Sequence, residues 1–179
     1  MASTTSGTPQ NPDLISSAEL IQHIPRLRRY ARALARDTAR ADDLVQDTLE
    51  RALAKLDLWH PGSDLRAWLF TVMHNLFVNQ LRAPGSQTLC ELDEASDIPV
   101  SGGQTEALAV RDIHAALAKL PAEQREVMLL IGLEQFAYAD AARIIGVPLG
   151  TVMSRLSRAR ERMRQLLEGQ QATKLQVVK

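Results

Sequence analysis

At 179 residues, with 45% hydrophobic and only 4% aromatic side chains, the chain can bury a core, has room for one domain or two small ones, and is poorly furnished for strands. Its 21 basic and 21 acidic residues cancel, which taken alone argues against a nucleic-acid binder. Cys90 is the only cysteine, which excludes an internal disulfide, and no apolar run approaches the ~18 residues of a membrane span, so a cytoplasmic chain without a membrane partner is expected.

The net charge conceals segregated blocks. Six arginines face one acid between Arg26 and Arg40, and five acids face Arg51 and Lys55 between Asp42 and Asp57. Five acids and no base lie between Pro84 and Val110, and six arginines face Glu161 between Arg143 and Leu167. Blocks of this kind set up local fields and point to one anionic and one cationic partner.

Residues 1–13 are small and polar and read as a disordered tail. Ser16 or Ser17 is placed to cap a first helix through Leu20, Ile21 and Ile24, with Pro25 kinking it or opening the next. Leu27, Tyr30, Ala31 and Leu34 then recur at helical spacing. From Ala41 to Leu56, Leu44, Val45, Thr48, Leu49, Ala52, Leu53 and Leu56 form one broad apolar face. His60-Pro61-Gly62-Ser63 is a turn, Ser63 or Asp64 caps the next helix, and Leu65, Leu69, Val72 and Leu76 carry it toward Leu81.

An acidic stretch at 84–104, with two prolines, three glycines and no helical period, reads as a flexible linker between a first domain at 14–83 and a second at 105–168. A C-terminal tail occupies 169–179. In the second domain Leu108, Ile113, Ala116, Leu117 and Leu120 suit a helix that stops before Pro121, and Pro121 opens another through Val127, Leu130 and Ile131. A short helix from Tyr138 to Ile145, a tight turn with Gly146 and Gly150, and a long basic helix from about Thr151 to Leu167 then follow in the order of a helix-turn-helix. Gly146 suits the left-handed residue that ends a helix, and Thr151 suits a cap. The expected fold is all-α: two small helical domains.

In the last helix Val152, Leu156, Ala159, Met163 and Leu166 make one stripe, and Ser154, Arg155, Ser157, Arg158 and Arg162 fall outside it. Together with Thr151 these are the candidate duplex-reading residues, since arginine and serine pair with base edges and phosphates in a major groove. Without the turn, a solvated arginine face would be an equal reading.

The run Leu120-Pro121, Arg125-Glu126-Val127 and Gly146 through Arg160 resembles the C-terminal domain, region 4, of extracytoplasmic-function (ECF) sigma factors, which reads the −35 promoter element. Met153 stands where a basic residue is common, and Ala137 to Ala142 replaces a usual Glu-Ile-Ala pattern. Asp42 through Ala52 resembles region 2.2 of the same family, and the resemblance implies docking on the β′ clamp helices of core RNA polymerase. Asp43, Gln46, Asp47 and Glu50, spaced three or four apart, can share the exposed face that this needs. Alone they would read as a solvated acidic face.

Asp64 through Arg82 resembles regions 2.3 and 2.4, which open and read the −10 element. Asn75, Asn79 and Arg82 recur at i, i+4 and i+7, with His74 beside them, and amides and a guanidinium suit splayed bases and phosphates. The family often has Asp where Asn79 stands. Trp68, Phe70 and Phe77 could stack on bases, but core packing is the better reading of Trp68. Arg26, Arg28, Arg29 and Arg32 divide equally between DNA binding and a solvated face.

The whole of His23 to Arg82 is most similar to ECF sigma factors of the alphaproteobacterial general stress response. That implies core RNA polymerase (β′ and β), promoter DNA with a GGAAC-like −35 element, and a small helical anti-sigma protein as partners. No cofactor, metal cluster or catalytic constellation is expected: His23, His60, His74 and His114 lack ligand spacing. A stand-alone helix-turn-helix regulator would not need the acidic face around Asp47. A sigma mimic that titrates an anti-sigma protein would not need the arginines of the last helix.

Overall fold

The structure, a computed structural model, describes residues 17–35, 37–60, 62–83 and 104–177, with no side chain described at 17–18, 104–107 or 170–177. The expected tail at 1–13, all of the expected linker at 84–104 except Gln104, and Cys90 lie outside the described residues, and Gln104 begins a helix. Among those described, all regular structure is helical.

The first domain contains α1 (Ser17–Ile21), α2 (Ile24–Ala35), α3 (Thr38–Leu53) and α4 (Leu65–Arg82). Pro25 sits in the first turn of α2, where its missing N–H costs nothing. The expected apolar positions Leu27, Tyr30, Ala31 and Leu34 are buried. Asp37 caps α3 by accepting a hydrogen bond from the Arg40 amide at 2.8 Å, a contact of the kind that contributes about 1 kcal/mol. Leu44, Val45, Thr48 and Ala52 face inward, and the buried Thr48 hydroxyl donates to the Leu44 carbonyl at 2.6 Å.

The apolar face was expected to reach Leu53 and Leu56. Leu53 is exposed instead, because α3 ends there and the chain turns through a 3-10 segment, Leu56–Leu58, before the next helix. Gly62 takes a positive φ of 86° in the turn, and Asp64 caps α4 through the Ala67 amide at 3.1 Å.

The second domain contains α5 (Gln104–Ala118), α6 (Ala122–Met128), α7 (Tyr138–Ile145) and α8 (Leu149–Val177), with a π-helical turn at Leu129–Leu133 between α6 and α7. Gly146 ends α7 at φ 72°, and its amide and that of Val147 both donate to the Ala142 carbonyl. Gly150 and Thr151 are not the turn and the cap. Both lie in the first turn of α8, and the Thr151 and Val152 amides donate to the Pro148 carbonyl, which makes Pro148 the residue before the helix. At its other end α8 runs ten residues beyond Leu167, to Val177. The ion pairs of Arg164 with Glu161 and Glu168 support it there, and the chain beyond Gly169 contains no proline.

The two domains share one buried core. Leu27, Tyr30, Leu69, Phe70 and Met73 from the first pack continuously with Val127, Leu130, Phe136, Ile144 and Val152 from the second. The helices in contact across the boundary are α4 with α7, and α2 with α5, α6 and the π turn. Leu108, Val110 and Ile113 of α5 are exposed rather than core, since α5 turns Ala116 and Leu117 inward, with Leu120 buried in the turn that follows it.

Candidate functional site

The last helix presents what its pattern promised. Val152, Leu156 and Ala159 are buried, Met163 and Leu166 are half-buried, and Ser154, Ser157, Arg158 and Arg162 stand exposed on the other side. Thr151 is half-buried, and Ser154 Oγ donates to its carbonyl at 3.0 Å. Arg155 differs from its neighbours. Its side chain is 20% exposed and pairs with Glu123 of α6 at 2.8 Å, so that it must leave this partner to meet another anion.

Met153, Tyr138 and Arg160 line a shallow pocket of about 380 Å³ beside this face. They are exposed surface that the apolar stripe alone did not single out. Farther along, Arg164 and Gln165 donate to Glu161, and the hydrogen bonds from Arg164 and then Gln165 hold the Glu161 carboxyl below its ordinary range.

On α3 the four acidic-face candidates Asp43, Gln46, Asp47 and Glu50 are all exposed. Gln46 Nε2 donates to Glu50 Oε1 at 2.9 Å, and Gln80 Nε2 of α4 approaches Asp47 Oδ2 at 3.5 Å. The face is one surface of carboxylates with no cation of the same chain bonded to Asp43 or Asp47 among the described residues.

On α4 the structure brings Asn75, Asn79 and Arg82 to one exposed side but turns His74 away from them. The His74 ring is 11% exposed, and its Nδ1 lies 2.5 Å from Oε1 of Glu126 on α6. Phe70 and Phe77 are buried and present no face to a base, and Trp68 packs half-buried against the core. Phe70 stands edge-on between Tyr30 at 5.0 Å and Phe136 at 5.1 Å.

Of the α2 arginines, Arg26, Arg28, Arg29 and Arg32 are all exposed. Arg32 approaches Asp42 at 3.9 Å, and Arg29 donates to Glu134 of the second domain at 2.7 Å. Glu134 is fully buried, and Arg66 of α4 is its second partner at 3.4 Å. Arg66 also donates to the Glu134 backbone carbonyl and lies 3.9 Å above the Phe136 ring. Arg125 reaches back from α6 to donate to the Leu34 carbonyl at 2.7 Å, near the end of α2.

These interdomain groups were invisible in the sequence because nothing marks Glu126 or Glu134 as inward-facing. The phenol of Tyr30 registers both of them: burial, then Glu126 and Glu134, push it well above the ordinary tyrosine value. Between α2 and α5, Ile24, Pro25, Ala33, Val110, Ile113 and Leu117 line a groove of about 560 Å³, flanked by Arg28, Arg32 and His114.

Among the described residues no group of His, Cys, Asp and Glu is placed to hold a metal, and no helix is long and apolar enough to cross a membrane.

Comparison with known proteins places both halves. Residues 20–74 match the family described as the Sigma2 domain of PhyR, and residues 111–163 match Sigma-70, region 4. The chain is 43% identical over 150 residues to the ECF RNA polymerase sigma factor EcfG of Rhodopseudomonas palustris, covering 83% of each. It resembles the sigma factor RpoE of Bartonella quintana, solved in complex with the anti-sigma factor NepR, at 42% identity and a TM-score of 0.72, covering 84% of this chain and 95% of that one. It also resembles a chain of the PhyRSL–NepR complex from Sphingomonas sp. Fr1, at 26% identity and a TM-score of 0.61, covering 86% and 90%.

Proposed function

The chain belongs to the ECF RNA polymerase sigma factors, and from that footing we propose that it binds core RNA polymerase, directs promoter-specific initiation in a general stress response, and is held inactive by a small helical anti-sigma protein. The observation that carries this reading is the pairing, in one chain, of an exposed carboxylate face on α3 with an exposed arginine and serine face on α8.

In this reading Asp43, Gln46, Asp47 and Glu50 dock on the basic clamp helices of β′. Thr151, Ser154, Ser157, Arg158 and Arg162 enter the major groove of the −35 element, and Arg155 joins them once it leaves Glu123. Asn75, Asn79 and Arg82 hold the opened −10 strand, and His74 is available there only when Glu126 has moved away. The chain is no enzyme. Strand opening draws on binding free energy, and the protein works in the cytoplasm with the polymerase. The groove between α2 and α5, apolar with arginines beside it, supports the anti-sigma part of the reading, since it suits an amphipathic helix with acidic edges.

The first-domain match to PhyR gives a second reading some weight: a module that only titrates an anti-sigma protein. The four exposed candidates on α8 that face solvent, Ser154, Ser157, Arg158 and Arg162, favour the sigma factor, because titration alone does not require a groove-reading helix.

Footprinting on a promoter with a GGAAC-like −35 element tests the choice. With core polymerase present, protection of that duplex and permanganate-reactive thymines near −10 are expected. Sequence-specific protection by the protein alone would instead favour a stand-alone regulator, and no protection in either case would favour the titrating module.

A further inference from the structure

We propose that Leu149 and Met153, on the first two turns of α8, read the 5-methyl group of thymine in the −35 duplex. The inference rests on the reading of α8 as the helix that enters that groove, and it supplies the apolar half of the recognition.

Leu149 is 47% exposed and Met153 is 52% exposed. They stand at i and i+4, so their side chains are neighbours on one side of the helix. Tyr138, the first residue of α7, is exposed as well and lines the pocket of about 380 Å³ beside Met153. A single exposed apolar residue is ordinary on a protein surface. Two side by side at the leading end of a helix-turn-helix, with a tyrosine across the pocket, make a patch. Ser157, an exposed groove candidate, lines the same pocket, so the patch is continuous with the polar reading face.

Gly150 gives an independent observation. It lies between the two in the first turn of α8, where glycine is a poorer helix former than alanine. Its φ is not positive, and a Cβ added there would meet nothing within 4 Å. Neither backbone conformation nor internal packing asks for glycine at this position. A bare backbone lets another body come close, and a duplex is the body that Arg158 and Arg162, exposed on the same helix, attract.

Thymine is the base that the patch fits. The base edges in the major groove offer hydrogen-bond donors and acceptors, and the thymine 5-methyl is the one apolar group among them. A thioether and an isobutyl group offer no charge to phosphate and no donor to guanine, but they pack on a methyl. A cation at position 153 would hold backbone phosphate whatever the sequence, so methionine there favours selectivity over affinity. Glu161 lines the same pocket, but its carboxylate is taken up by Arg164 and Gln165, which offsets its repulsion of a phosphate. In a GGAAC-like element the thymines lie opposite the adenines, next to the guanines that arginines read.

The test compares thymine with uracil in the −35 duplex, because deoxyuridine lacks the 5-methyl and keeps every hydrogen-bonding group. Holoenzyme formed with core polymerase is titrated on thymine, uracil and scrambled duplexes by fluorescence anisotropy. Each methyl removed at a contacted position should weaken binding about fourfold. Leu149→Ala combined with Met153→Ala should bind the thymine duplex as weakly as the unsubstituted protein binds the uracil duplex, and should no longer tell the two apart. Both side chains are exposed, so helical circular dichroism should not change. Gly150→Ala should weaken binding to both duplexes alike, at least fivefold, and unchanged binding overturns the proposal, since these side chains reach base edges only if the leading turn lies against the duplex. Equal affinity of the unsubstituted protein for thymine and uracil duplexes, with scrambled DNA still rejected, overturns the proposal and leaves the −35 reading intact. A thymine preference that survives in the double variant also overturns it, because another group then reads the methyl. If scrambled DNA binds as tightly as the −35 duplex, the reading of α8 as a groove helix fails, and the proposal with it.

Discussion

Removing the Arg158 side chain tests the reading of α8 most sharply, because its neighbour one turn earlier serves as an internal control. Arg158 is exposed with no carboxylate bonded to it among the described residues, whereas Arg155 is 20% exposed and bonded to Glu123 at 2.8 Å. A guanidinium that reads a base edge contributes about 1–3 kcal/mol to a specific complex. Arg158→Ala should therefore weaken holoenzyme binding to a −35 duplex by roughly 10- to 100-fold. Arg155 first has to give up its ion pair. Glu123 is 69% exposed, so solvent screens that pair and its loss costs only about 0.2–1 kcal/mol. Arg155→Ala should then lose less than Arg158→Ala by about that amount, and Glu123→Gln should tighten binding by a few tenths of a kcal/mol.

The assay is fluorescence anisotropy of holoenzyme on −35 and scrambled duplexes across a salt series. If Arg158 reads bases, the discrimination between the two duplexes falls and the salt slope holds. If it holds phosphate, both affinities fall together and the slope drops by about 0.9. Unchanged affinity on both duplexes would refute the placement of α8 in the groove.

Four further outcomes follow from the same geometry. Asp47→Lys reverses charge in the centre of the exposed α3 face and should weaken core-polymerase binding at least tenfold in a pull-down titration, with helical circular dichroism unchanged. Asn75→Ala should leave closed-complex affinity within twofold but slow permanganate-detected opening; opening at the unsubstituted rate would reject its role. Phe136→Ala removes a ring packed on Phe70 and under Arg66, and should cost about 3 kcal/mol in urea unfolding, with a single transition because both domains share the core. Stability should also fall as pH drops below 6.5. Burial, and then Arg125, depress the His114 pKa, and burial, then Arg26 and Arg66, depress that of His23, so the unfolded chain takes up protons that the folded chain resists. His114→Gln should flatten part of that slope in urea midpoints compared at about pH 7.5 and about pH 5.5.

What the sequence made legible was local. The spacing of Leu27, Tyr30, Ala31 and Leu34, the stripe from Val152 through Ala159, the Asp64 cap and the Gly146 stop each depend on residues within a few turns, and each stands in the structure. The four-residue acidic face of α3 was legible for the same reason.

Where periodicity misled, it gave a face but not the neighbour that would cover it. Leu53, Leu108 and Ile113 continue apolar stripes and yet meet solvent. Thr151 has the chemistry of a cap, but α8 begins at Leu149, and the Thr151 amide already donates to the Pro148 carbonyl within its first turn. The interdomain links were out of reach. Arg29 and Glu134 are 105 residues apart, Arg66 and Glu134 are 68 apart, and His74 and Glu126 are 52 apart, so no local pattern pairs them. His74 shows the consequence. Its place beside Asn75 made it a candidate for the −10 strand, and tertiary packing gave it to a carboxylate instead.

Promoter-dependent run-off transcription with purified core RNA polymerase, with and without this protein, addresses the central claim most directly. The account predicts one specific transcript that appears only with the protein, depends on the −35 and −10 elements, and is lost with Arg158→Ala and Asp47→Lys. The absence of both a transcript and binding to core polymerase would contradict it and leave a helix-turn-helix regulator as the better reading.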